Sequence, residues 1–100
     1  MAKLAPMHPG EVLREEFLIP LGLKPYGVAK MLAVPRTRIE RIVAEEIGIT
    51  ADTALRLGRL FGTSAEFWLN LQSRYDMLIA QKEIARALKK IKPAIEQRPV

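Results

Sequence analysis

No cysteine occurs in this sequence, which rules out disulfides and every thiolate zinc site. Histidine is nearly as scarce, with His8 the only one. One imidazole without thiols or clustered carboxylates is poor material for a metal centre or a Ser-His-Asp relay. His8 therefore reads as a helix-start residue and the chain as a non-enzyme. A glycine loop able to cradle phosphate is also missing, as are internal repeats and low-complexity stretches. No apolar run approaches the roughly 20 residues that span a bilayer. The opening Met1 to Pro6 lacks the apolar centre of a secretory leader. These absences predict a cytoplasmic protein with no metal, no cofactor and no membrane partner.

The 100 residues fit one domain, and 49% hydrophobic with 27% charged residues is an ordinary globular balance. Sixteen Lys and Arg against 11 Asp and Glu leave a net charge of +5. A basic balance favours polyanionic partners such as nucleic acid or an anionic surface, and by itself identifies neither.

Proline and glycine cut the chain into short helical blocks. The first runs from Pro9 to about Ile19, with Val12, Leu13 and Phe17 on one face. Pro20 biases Ile19 away from helix and Gly22 suits a left-handed stop. The second runs from Pro25 to Ala33 with Val28, Ala29 and Leu32 inward. The third runs from Pro35 to about Val43 with Ile39, Ile42 and Val43 inward. Thr50 caps a fourth block whose buried side is Ala54, Leu55, Leu57, Leu60 and Phe61, ended by Gly62. Thr63-Ser64-Ala65-Glu66 reads as a capping box. It opens a long helix from about 64 to 90 carrying the stripe Phe67, Trp68, Leu71, Tyr75, Leu78 and Ile79, until Pro93 forbids more. The expectation is one domain over residues 1–92 and a frayed tail over 93–100.

Blocks two and three are joined by almost nothing, as in a helix-turn-helix over about 25–43. Generic packed helices show the same spacing, so the motif rests on the outer face of block three. With Ile39, Ile42 and Val43 inward, 100° per residue sends Thr37 and Arg41 nearly opposite. Arg38 and Glu40 flank them, and Arg36 sits at the exposed start. Arginine binds guanine O6 and N7 bidentately, and threonine meets base edges or the thymine methyl. Arg36, Thr37, Arg38 and Arg41 are therefore candidate base contacts, with Lys24, Tyr26 and Lys30 as candidate phosphate contacts. The bland reading is a solvated basic face. Glu40 has two roles open to it: accepting from cytosine N4, or pairing with a nearby arginine.

Three runs carry a family resemblance. They are Met7-His8-Pro9-Gly10-Glu11-Val12-Leu13-Arg14-Glu15-Glu16-Phe17-Leu18 with Pro20-Leu21-Gly22-Leu23, then Ile49-Thr50 with Ala54-Leu55-Arg56-Leu57, and Phe61-Gly62-Thr63-Ser64-Ala65-Glu66-Phe67-Trp68-Leu69-Asn70-Leu71-Gln72 with Tyr75-Asp76. Through them, residues 7 to about 81 resemble the HigA-type antitoxins of the Xre/Cro helix-turn-helix superfamily. The resemblance implies an all-α, compact, five-helix Cro/repressor-like fold with a long C-terminal helix. It implies a homodimer on double-stranded operator DNA containing an inverted repeat, with Arg36, Thr37, Arg38 and Arg41 on the DNA. It also implies a partner toxin, a RelE/HigB-like ribonuclease that cuts mRNA. The chain departs from the pattern at Ala33, where such motifs carry glycine, which predicts a strained turn. Pro35 replaces a capping Ser, Thr or Asn, and Glu45-Glu46 bring negative charge near the DNA side.

Trp68 and its neighbours read as core rather than as a ligand pocket. Leu78, Ile79, Ile84 and Leu88 exceed what four short helices can cover, which makes them candidate dimer contacts. Lys82, Arg86, Lys89, Lys90, Lys92 and Arg98 form a basic end, either a solvated face or a phosphate contact. Two other functions fit the same residues: a solitary repressor without a toxin, and an interaction module that lacks DNA binding.

Overall fold

Pro9 starts the first helix without cost, because the first helical N–H has no partner to lose. His8 caps it: the Nδ1 atom accepts from the Gly10 N–H at 2.8 Å. His8 is buried and meets Tyr75 edge-on at 4.9 Å, so the lone histidine is a helix start, as expected. The computed structural model describes residues 6–95. Among them it has six helical stretches rather than five.

The first, α1, is continuous over residues 9–21 and changes pitch twice. It is α-helical over Pro9–Val12, π-helical over Leu13–Leu18, and α-helical again over Ile19–Leu21. The sequence predicted an end near Ile19, but the helix runs through Pro20. A proline inside an α-helix lacks its N–H and strikes the carbonyl four residues back. The wider π turn, in which the Ile19 N–H donates to the Arg14 carbonyl, accommodates the ring. Gly22 then stops the helix in the left-handed region at φ 67°.

Helix α2 is Pro25–Leu32 and α3 is Arg36–Val43. Ala33 ends α2 at φ 59°, ψ 46°, the left-handed conformation that the tight turn demands and that disfavours a Cβ. Pro35 stands at the N-cap of α3 and supplies no side-chain bond. Helix α4 is Ala51–Phe61, capped by the Thr50 Oγ1 accepting from the Thr53 N–H at 3.3 Å. Leu55 does not join its buried side. It is 65% exposed while Thr53 is buried, because the inward arc runs through 53, 54, 57 and 58 and leaves 55 about 100° away from Ala54.

Helix α5 is Ala65–Glu83. The expected capping box is shifted by one residue. Ser64 is the cap, its Oγ accepting from the Phe67 N–H at 3.0 Å, which leaves Glu66 one position too early to reciprocate. Thr63 instead accepts from the Trp68 indole N–H at 2.8 Å. The long helix also breaks earlier than predicted, at Ile84 (φ −110°, ψ 19°), followed by the short α6, Ala85–Lys89. Every residue from 80 to 95 is exposed, and helix without packing depends on propensity alone. Of the expected tail, Pro93–Ile95 are non-helical and 96–100 lie outside the described residues. Among the described residues, no helix is long and apolar enough to cross a membrane.

The core collects Leu13, Val28, Ile39, Ile42, Leu57 and Trp68, all fully buried. Phe17 bridges Phe61 at 4.9 Å and Trp68 at 5.1 Å. Helix α1 lies so close to α3 that a Cβ on Gly10 would sit 1.8 Å from the Ile42 carbonyl oxygen. Two outcomes follow for thermal unfolding. Gly10→Ala destabilises by about 1–3 kcal/mol or more, because rigid backbone must move. Ala33→Gly stabilises by about 1 kcal/mol, raising Tm by roughly 4–8 °C.

Candidate nucleic-acid interface

Helix α3 exposes one narrow face. Arg36, Thr37 and Arg41 are exposed, Glu40 half-buried beside them, and Ile39 and Ile42 fully buried beneath. At the first turn, the backbone N–H groups of Arg36 and Thr37 have no intrahelical partner. Lys24 at the N-cap of α2 and Tyr26 and Lys30 on it are exposed, the last two one turn apart. Three of the four expected base-contacting side chains thus share an open surface.

Arg38 does not. Its Nη1 pairs with Asp52 Oδ1 at 2.8 Å and reaches Thr53 Oγ1 at 3.5 Å, turning the side chain towards α4. Asp52 also accepts from Arg56 Nε at 2.8 Å, and Arg56 Nη1 donates to the Leu32 carbonyl at 2.7 Å. One carboxylate and two guanidiniums therefore join the end of α2, the start of α3 and the start of α4. Their hydrogen bonds, from Arg56 first and Arg38 second, hold the Asp52 carboxyl below the ordinary carboxylate range. At the far end, Arg14 of α1 donates to the Val43 carbonyl and pairs with Glu45 at 3.2 Å and Glu15 at 3.0 Å. Bonds to Glu15 first, then Glu45, push its guanidinium further towards the charged form.

Sequence reasoning missed both clamps. Asp52 and Arg56 carried a legible signal, opposite charges four apart on one helix. The pairings of Arg14 with residues 43 and 45 span 29 and 31 positions and had none. Glu45 itself is left-handed at φ 63°, so the expected negative charge near this face serves first to brace the end of α3.

No family model matches the chain. Virulence-associated protein I of Dichelobacter nodosus is 54% identical over 77% of this chain and 71% of its own. Antitoxin HigA-1 of Vibrio cholerae is 31% identical over 91% of this chain and 86% of its own. This chain belongs to the HigA family of helix-turn-helix regulators. A solved HigA structure agrees: the antitoxin HigA of Pseudomonas aeruginosa with the higBA promoter is 43% identical. It superposes with a TM-score of 0.87 over 91% of this chain and 100% of that one. HigA proteins are antitoxins and DNA-binding regulators rather than enzymes, and the fold belongs to that all-helical type.

The clamp at Asp52 generates a pH prediction. Because its folded pKa is lowered, its contribution is complete above the unfolded value, near 4, and fades as pH falls through the lower folded value. Asp52→Asn is thus less stable than the parent at neutral pH, by a small margin for so exposed a pair. Denaturant melts should show that gap closing as pH falls below the unfolded carboxylate value.

Proposed function

We propose that the chain is the antitoxin of a type II toxin–antitoxin pair and the autorepressor of its own promoter. The observation that carries this reading is its likeness along nearly its whole length to a HigA solved with promoter DNA, joined to the open arginine face of α3. Two copies, held together through Leu78, Ile79, Ile84 and Leu88, would present two α3 helices to major grooves one turn apart, about 34 Å. Ile84 and Leu88 are 46% and 43% exposed, apolar surface that a second copy would cover. Arg36, Thr37 and Arg41 then meet base edges, while Lys24, Tyr26 and Lys30 hold the phosphates. Arg38 supports the helix from behind. A dimer on the promoter keeps polymerase off it. The toxin partner is a RelE/HigB-like mRNA-cleaving ribonuclease, bound on a surface other than α3.

The test has two parts. Tagged protein recovered from its host co-purifies with a stoichiometric small basic protein whose expression alone arrests growth and whose co-expression with this chain does not. Recovery of promoter DNA with no such partner replaces the antitoxin reading with a solitary repressor. In gel-shift titrations, the promoter duplex binds with a steep salt dependence, from counterion release. Arg41→Ala weakens that binding by about 1–3 kcal/mol; an unchanged affinity and footprint removes Arg41 from the reading set. Leu88→Asp shifts the protein towards monomer in sedimentation and weakens the full inverted repeat more than a single half-site.

A further inference from the structure

The guanidiniums of this protein are used in two distinct ways. Arg14, Arg38 and Arg56 direct their terminal Nη atoms at protein: a carbonyl, a carboxylate and a carbonyl. Arg36 and Arg41 do the reverse. Arg36 is held through Nε by Glu40 Oε2 at 3.3 Å, and Arg41 through Nε by Glu46 Oε1 at 3.4 Å. Among the described residues, neither arginine donates a hydrogen bond from Nη1 or Nη2 to protein. Those two atoms form the edge that fits guanine O6 and N7.

Two carboxylates on a surface that meets phosphate need an explanation, because each repels the polyanion. Helix stability does not supply one. Glu40 follows Arg36 by four positions, the less favourable order, and it lies in the negative half of the helix dipole. Glu46 lies outside α3 altogether. As exposed ion pairs, both contribute little in water. Once a groove excludes water, the same contacts strengthen, and they restrict a long side chain to rotamers that point its free edge outward.

We propose that Glu40 and Glu46 are positioning residues that buttress Arg36 and Arg41 through Nε, presenting their terminal edges for guanine and weakening indiscriminate phosphate binding. This gives the two glutamates a role in choosing operator sequence over bulk DNA, and it rests on the operator-binding reading above. Each acts through its arginine and not through a base of its own.

Bulk electrostatics and the buttress predict opposite results for Glu40→Gln, Glu46→Gln and the double variant. Losing negative charge from a DNA-facing surface should tighten binding to every duplex. If the carboxylates orient arginines, selectivity falls instead. The measurement is the dissociation constant for the promoter duplex and for a scrambled duplex of equal length, at two salt concentrations. The expected result is severalfold tighter binding to the scrambled duplex and no matching gain on the operator. Selectivity then drops about tenfold in the double variant, within the range of one bidentate base contact. Replacing operator guanines with 7-deazaguanine should then cost the parent protein more than the variants. Equal gains on both duplexes, with 7-deazaguanine costing all proteins alike, overturn the buttress and leave operator binding intact. A parent protein that does not distinguish the duplexes overturns both readings.

Discussion

An eight-residue helix has no independent stability in water, and the helix that carries the open arginine face, α3, is that short. Its position depends on Ile39 and Ile42, both fully buried. Each contributes roughly 1.5–3 kcal/mol of burial relative to an exposed side chain. Around that attachment the rest of the fold is arranged. Gly10 permits α1 to lie directly on the Ile42 backbone, and Ala33 accepts a left-handed turn so that α2 can lie immediately before α3. Without those two isoleucines the open face would have nothing to stand on.

The ends of α3 are secured differently from its middle. Apolar burial of Ile39 and Ile42 selects which face of the helix turns inward. Hydrogen-bonded guanidiniums are directional, and they occupy both ends: Arg38 with Asp52 at the start, Arg14 with Val43 and Glu45 at the finish. Rotating α3 about its axis would turn Thr37 and Arg41 away from the exposed strip. The burial chooses the inward face, and the clamps add directional restraint at its two ends. The protein's net positive charge says little about either, since the arginines that aim α3 are neutralised by the acidic residues they hold.

The long C-terminal helix has a similar split. Its first half is integral to the core: Trp68 is fully buried, Gln72 Oε1 accepts from the Ile49 N–H at 2.6 Å, and Tyr75 rests on His8. Past Ile79 the residues are all exposed as far as Ile95. Apolar residues continue there beside a basic row of Lys82, Arg86, Lys89 and Lys90. A helix lacking a surface to lie on breaks at the first local opportunity, as this one does at Ile84.

Much of this was readable from the order of residues. Period-3.6 apolar spacing located the first five helices, Thr50 and Gly22 marked their ends, and the exposure of Arg36, Thr37 and Arg41 followed from helical geometry once Ile39 and Ile42 were taken as inward. Those features are local: they depend on neighbours within a turn or two. The π-helical passage through Pro20, the exposure of Leu55 and the pairing of Arg38 with Asp52 were decided by tertiary structure. Each depends on which surface of another helix lies opposite, and that is set by contacts between residues far apart in the chain. An arginine carries the same charge wherever it stands. Whether it faces a carboxylate of its own protein or the open groove of a partner is settled only when the helices have packed.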